Sequence, residues 1–322
     1  MQQNLFSFRP LLKQTLWGGC RIAAYKKLDD APDGVGESWE LSGIAGSESV
    51  VTCGPRAGKT LPELVAEMGA ELLGAENYRT YGNEFPLLVK FIDARLDLSV
   101  QVHPDDALAA RRHGCRGKSE MWYVVDCEPG SRLLSGFRCE VSADEYASRV
   151  ADCTLPEVLR SCEVKPGDVF YLPAGRVHSI GAGCLVCEVQ QSSDITYRIY
   201  DFGRTDARGC PRQLHVEEAR EAIDFRVVPD ENMPVVADNE PATLVQSPYF
   251  TTSAYRLTEP MECDYSELDS FVILICVSGA CKVASGEESI RLEAGHTLLV
   301  AARCGGVTLC PDERAELLEV YV

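Results

Sequence analysis

Residues Pro166 to His178 read Pro-Gly-Asp-Val-Phe-Tyr-Leu-Pro-Ala-Gly-Arg-Val-His. A Pro-Gly-Asp turn opens a short apolar run and a Pro-x-Gly turn closes it, the punctuation of a strand between tight turns. Turns this rich in Gly, Pro and Asp suit an antiparallel barrel or sandwich better than a βαβ sheet. The phrase has an echo at Glu293-Ala294-Gly295-His296-Thr297-Leu298-Leu299-Val300, which follows the pattern of Lys165 to Leu172 but lacks the terminal Pro-x-Gly-x-x-His. Two β units are therefore expected. The first presents His178 at the far edge of a strand, facing inward as a metal ligand, and the second is expected to be metal-free.

Other strands are expected at Phe85 to Ile92, Leu98 to His103, Met121 to Val125, Asp168 to Leu172, Cys184 to Gln190, Phe271 to Val277 and His296 to Ala301. Thr60-Leu61-Pro62-Glu63 is a capping box ahead of Leu64, Val65, Met68 and Leu72 at helical spacing. Ser142-Ala143-Asp144-Glu145 opens a second helix running toward Leu159. A third is expected to start at His103-Pro104-Asp105-Asp106, with Pro104 at its first position and His103 ending a strand. The Pro- and Asp-rich stretch from Val228 to Pro234, followed by polar Ala237 to Pro241, is read as a linker between units 1–232 and 233–322. With 322 residues and 45% hydrophobic content, the chain can bury two cores.

Lys and Arg number 31 against 49 Asp and Glu, so the net charge of −18 disfavours nucleic acid and anionic membranes as partners. An anionic small molecule remains admissible, because screening over about 8 Å lets a few cations lining a pocket overrule the global sign. The fifteen cysteines do not imply a secreted disulfide framework. Residues Met1 to Gly19 lack a basic segment followed by a long apolar one, so the thiols are read as reduced and the protein as cytoplasmic. The longest apolar run, Phe271 to Val277, is far short of the roughly 20 residues of a membrane helix. A soluble monomer or homodimer is expected.

Gln101 and His103 are separated by one residue, so on a strand both side chains point to the same face. Glu120 follows Gly117-Lys118-Ser119 and precedes the apolar run Met121 to Val125. With His178, these make a set of two imidazoles, a carboxylate and an amide oxygen, which suits a borderline ion with positions left for water or substrate. Zn²⁺, one per chain, is the expected ion. Its charge less that of one carboxylate leaves a positive centre able to stabilise an oxyanion.

These residues, together with Leu16-Trp17-Gly18-Gly19, Gly36-Glu37-Ser38-Trp39-Glu40, Phe85 to Lys90, Leu98 to Pro104 and Glu188 to Arg198, resemble the type I phosphomannose isomerases of the short bacterial form. The resemblance runs from about Phe8 to Arg204. It implies a mainly β fold of two cupin-like jelly-roll barrels with helices inserted in the N-terminal part. It also implies a zinc site at Gln101, His103, Glu120 and His178, and interconversion of mannose 6-phosphate and fructose 6-phosphate. Arg198 is then an essential cation, with Lys90, Lys118, Glu188, Asp194 and Ser99 around the sugar phosphate. Arg198 with Lys118 or Arg204 is suited to the phosphate, since guanidinium forks match its oxygens. For the proton moved between C1 and C2, Glu188 leads, with Lys118, Asp194 and a metal-bound water as alternatives.

Two rival functions share the ligand set. An iron-dependent cupin oxygenase also uses two His and a carboxylate, but Gln101 and the phosphate-competent cations count against it. A non-catalytic sugar-phosphate binder would not need every ligand intact. Cys184 and Cys187, three apart on a strand, face opposite sides and read as core thiols. His113, His215 and His296 read as surface or packing residues. Trp17 and Trp39 either floor the pocket or fill the core.

Overall fold

The computed structural model describes residues 3–205, 208–227 and 235–322. The expected junction at 232/233 lies outside them, as does most of the expected linker. Among the described residues the chain is mainly β, with short helices inserted between strands. No helix among them is long and apolar enough to cross a membrane.

Three sheets are stacked. The central one has six strands in the order Val169–Leu172, Glu120–Cys127, Cys184–Gln191, Leu87–Ala94, Leu11–Gly19, Val35–Leu41. Every residue of Leu87–Ala94 and of Cys184–Gln191 is buried, because both faces of this sheet are covered. Alternation decides what each face carries. Leu87, Val89, Phe91, Cys187 and Val189 pack against Ile273, Ile275, Leu299 and Leu318 of the C-terminal sheet. The opposite face, with Ile92, Trp122 and Val186, packs against Leu98, Leu133 and Ile180 of a five-stranded sheet. That sheet runs Tyr197–Tyr200, Val100–Val102, His178–Ile180, Arg132–Phe137, Leu159–Glu163. Its outer residues Val100, Val102, Tyr197 and Ile199 are covered by helices carrying Leu108, Tyr146 and Ala219.

The sheets form the expected mainly β, jelly-roll arrangement as open packed layers, with separate edge strands rather than a closed ring of hydrogen bonds. In the nine-stranded C-terminal sheet, closure is replaced by bending of Val272–Ser285 and Gly306–Tyr321. The first half of Val272–Ser285 pairs with Thr297–Val300 and the second with Glu288–Glu293, with irregularities on either side of Gly279. Gly279 has φ +73°, and a Cβ there would stand 2.0 Å from the Arg314 carbonyl oxygen, so the bend requires glycine. Leu5–Arg9 also belongs to this sheet, pairing Leu5 with Val300 and Phe8 with Val51.

All seven expected strands form, with ends shifted by at most two residues apart from Val272–Ser285, which runs eight further. The helices end earlier than expected. Thr60 and Glu63 make their reciprocal cap, but Gly69 at φ +52° stops the helix at Met68 and places Leu72 in a separate turn. The Ser142-capped helix stops at Ala151, and a 3₁₀ turn carries Leu155–Val158. Asp105, not His103, caps the third helix, accepting from the Leu108 N–H at 2.8 Å. Pro104 stays outside because its carbonyl accepts from the Lys118 N–H.

Candidate metal centre and substrate cavity

Gln101, His178 and Arg198 lie opposite one another on three adjacent strands, so their side chains leave the five-stranded sheet on one face. His103, two residues after Gln101, joins them just past the strand's end. Glu120 comes from the facing sheet. His103 Nε2 is 3.4 Å from Glu120 Oε2, and His178 Nε2 is 3.3 Å from Glu120 Oε1 and from Gln101 Nε2. The two imidazoles and the carboxylate are at most 2% exposed, and their ligand atoms all lie within 4.8 Å of one another.

This arrangement fits a metal ion. His103 Nε2 and both Glu120 oxygens have no hydrogen-bond partner, although Lys118 Nζ lies 3.0 Å from Oε2 as an ion pair. Buried polar atoms left without partners cost about 1–3 kcal/mol each, so three converging ones need an explanation. The outer ring nitrogens supply one. His103 Nδ1 is 2.8 Å from the Ile195 carbonyl oxygen and His178 Nδ1 is 2.8 Å from that of Arg176, which makes each Nδ1 the N–H donor and leaves each Nε2 lone pair facing inward. Burial, then the charge of Lys118, lowers the His103 pKa to about 4, and burial lowers that of His178 as well, so both rings are neutral near pH 7. Burial alone would raise the Glu120 pKa, but the charge of Lys118 holds it well below the usual carboxylate range. For Gln101 to offer its carbonyl oxygen, the amide must be turned so that Nε2 faces Ser99 Oγ, which now stands 3.5 Å from Oε1.

A second row crosses the central sheet, where Trp39, Lys90, Glu188 and Trp122 stand in register on four strands. Glu188 Oε2 accepts from Trp122 Nε1 at 2.8 Å. Its Oε1 is buried without a hydrogen-bond partner, 3.5 Å from Lys90 Nζ and 3.9 Å from Lys118 Nζ. Lys90 Nζ also lies 4.7 Å from the centre of the Trp39 ring. Burial opposes a charge on Lys118, but Glu120, Glu188 and Asp194 raise its pKa, so it stays an ammonium.

Both rows open into a cavity of about 780 Å³. Trp17, Lys90, Ser99, Gln101, Lys118, Glu188, Asp194 and Arg198 all line it. Arg204 does not. Its guanidinium bonds Asp201 Oδ1 at 2.5 Å and the Asp97 carbonyl oxygen. Arg212, singled out by no motif, lines the cavity instead and holds both Asp201 oxygens at 2.5 and 2.7 Å. His215, expected as a surface or packing residue, also reaches the cavity, and its Nδ1 accepts from the Arg198 N–H at 3.2 Å. Arg198 Nε is buried with no partner, and burial, then the charge of Arg212, lowers its pKa. Arg212 and His215 lie on the loop leading to the Val216–Ala222 helix, where neither periodicity nor spacing marks them. Cys184 and Cys187 are core thiols, burial raising the first to about 12 and the second further.

Residues 5–126 match the family model of the phosphomannose isomerase type I catalytic domain, and residues 240–321 match that of the mannose-6-phosphate isomerase cupin domain. The mannose-6-phosphate isomerase ManA of Bacillus subtilis (strain 168) is 34% identical over 297 residues, covering 91% of each chain. The chain belongs to the type I phosphomannose isomerase family. A crystal structure of the mannose 6-phosphate isomerase from Bacillus subtilis superposes with TM-score 0.89 at 29% identity, covering 99% of this chain and 100% of that one. A holo, zinc-bound mannose 6-phosphate isomerase has the same fold, with TM-score 0.78 at 16% identity over 99% of each chain. In this family member the fold is therefore that of a cupin, and its metal-ligand cluster lies between the two N-terminal sheets.

Proposed function

We propose that this chain is a zinc-dependent aldose-ketose isomerase interconverting D-mannose 6-phosphate and D-fructose 6-phosphate through a cis-enediol(ate). The observation that carries the reading is the convergence of His103 Nε2, both Glu120 oxygens and Glu188 Oε1, all buried and without hydrogen-bond partners, beside one cavity lined by Lys90, Lys118, Arg198 and Arg212. One zinc ion, held by Gln101, His103, Glu120 and His178, would supply a Lewis-acid centre for the substrate oxygens.

The chain's own groups divide the remaining work. Glu188 takes the proton from C2 of the aldose at Oε1 and returns it to C1, while its other oxygen is fixed by Trp122. O1 gains a proton and O2 loses one in the same conversion, and Asp194 or Lys118 is placed to carry it. Lys90 and Lys118 offset the negative charge that develops on the enediolate oxygens. Arg198 and Arg212 hold the phosphate. Arg204 then acts one step back, sharing Asp201 with Arg212.

We assign the metal-binding unit to residues 1–232 and the metal-free jelly roll to 233–322, with Leu5–Arg9 contributing a strand to the sheet of the second unit. A cytoplasmic location suits the cysteines, none of which forms a disulfide among the described residues. The test is coupled detection of fructose 6-phosphate formed from mannose 6-phosphate. Turnover abolished by chelation and restored by zinc is expected; no turnover in folded, zinc-loaded protein would overturn the assignment.

A further inference from the structure

Beside the substrate cavity, the edge of the five-stranded sheet is closed by a loop rather than by another strand. Tyr197–Tyr200 is the outermost strand there, with Val100–Val102 as its neighbour in the sheet. An edge strand leaves backbone groups without a ladder partner, and these must be matched from elsewhere. At Arg198 one residue takes both. The Arg198 carbonyl oxygen accepts from the His215 N–H at 2.7 Å, and the Arg198 N–H donates to His215 Nδ1 at 3.2 Å. Arg198 Nη1 also donates to the Gln213 carbonyl oxygen at 3.0 Å, so the same loop fixes the guanidinium.

This use of Nδ1 decides what the rest of the ring can do. An imidazole nitrogen that accepts from an N–H carries no proton, so the ring proton sits on Nε2. Nε2 has no hydrogen-bond partner among the described residues, while the ring lines the cavity together with Arg198 and Arg212. Tyr197, whose ring centre is 6.2 Å from that of His215, has its hydroxyl engaged elsewhere, 2.7 Å from His113 Nε2. A donor whose tautomer is fixed in this way, on a wall that carries two guanidinium groups, suits an anionic oxygen.

We propose that His215 is a third arm of the phosphate cradle, its Nε2–H donating to a phosphate oxygen of the substrate held by Arg198 and Arg212. This rests on the reading of the cavity as a sugar-phosphate site. His215 then does two things at once: one ring nitrogen holds the backbone of Arg198, and the other contacts the group that Arg198 binds.

The two nitrogens can be tested separately in full-length, zinc-loaded protein. His215→Asn keeps an acceptor where Nδ1 stands and loses the donor; His215→Gln keeps an amide N–H near the place of Nε2 and loses the acceptor. His215→Asn should raise both the KM for mannose 6-phosphate and the Kd for inorganic phosphate, read by calorimetric titration, about tenfold or more, the loss expected when a hydrogen bond to a charged group is removed. Its kcat should change little, and His215→Gln should stay much closer to wild type in both constants. The reverse order, with His215→Gln impaired and His215→Asn unaffected, would make His215 only a prop for the Arg198 backbone and overturn the proposal. Phosphate binding is read without turnover, so the two readings fail separately. A folded protein that binds phosphate as expected but converts no mannose 6-phosphate would sink the isomerase reading alone, whereas turnover with KM and Kd unmoved by His215→Asn would sink the cradle alone. Should a variant fold poorly, the wild type supplies the measurement. With ¹⁵N-labelled histidine, the His215 ring, identified by its proximity to the Arg198 N–H, should carry its proton on Nε2, and that signal should move when phosphate is added. A ring protonated on Nδ1 alone, or a signal that phosphate leaves in place, would overturn the proposal.

Discussion

The side chain on which the chemistry turns is Glu188, a carboxylate in a strand whose every residue is buried. Such a group persists only because Trp122 satisfies one oxygen and two ammonium groups face the other. Glu188→Gln keeps the volume and an acceptor for Trp122 but removes the base. Turnover should fall by about 10² to 10⁴ with zinc content and KM little changed, measured by the coupled assay and metal analysis. A fall of less than tenfold would move the proton transfer to Lys118 or Asp194. At this scale much of the site was legible from local pattern. Gln101 and His103 share a face because strand residues two apart must, and His178 is announced by its turn. Arg212 was not legible, because nothing local tells an arginine on a cavity wall from one in solvent. Phosphate chemistry alone offered Lys118 or Arg204 as the partner of Arg198, and the loop's path brings Arg212 to the wall beside Lys118 and Arg198.

Elements were read best where their ends are written in side chains. The Thr60 cap is a local exchange of hydrogen bonds, with the Thr60 N–H donating to Glu63 Oε2 at 2.8 Å and Thr60 Oγ1 accepting from the Glu63 N–H at 3.4 Å. Thr60→Ala should lower the melting temperature by about 2 °C, leaving kcat and KM unchanged, because the helix packs against the side of the central sheet that faces away from the site. A change in kcat would mean that this helix positions the central sheet. Helix ends set by glycine conformation were missed. Gly69 is an ordinary helical position by spacing, yet its positive φ breaks the apolar stripe after Met68.

Across the whole molecule, the N-terminal segment is tied to the C-terminal sheet by buried polar contacts. Lys26 Nζ lies 2.9 Å from Glu40 Oε2 and also donates to the Gly295 carbonyl oxygen, with the Lys26 side chain fully buried. Lys26→Met should destabilise the protein by about 3–5 kcal/mol by leaving Glu40 uncompensated, and adding Glu40→Gln should recover part of the loss, as read in denaturant unfolding. Glu319 behaves differently. Burial raises its pKa above the ordinary carboxylate range, against a 2.5 Å bond from Tyr265 Oη. A carboxyl with a raised folded pKa binds its proton more tightly in the folded state, so its contribution to stability falls as pH rises through and above that ordinary range. The melting temperature of Glu319→Gln relative to wild type should therefore climb between pH 4 and pH 8; a flat difference would mean that Glu319 is not perturbed.

Alone, the sequence determined the fold class, the cupin phrase and its echo, and the four metal-ligand candidates. The strand phrase, its echo and the same-face pair Gln101 and His103 follow from side-chain period and turn chemistry, which act within a few residues, whereas the cupin fold and the complete ligand set were implied by the family resemblance. Only the tertiary structure decided that Leu5–Arg9 pairs with Thr297–Val300, that the sheets stay open, and that Arg212 rather than Arg204 lines the substrate cavity. Those outcomes depend on which buried surfaces meet across hundreds of residues, a choice made by the packing of whole layers.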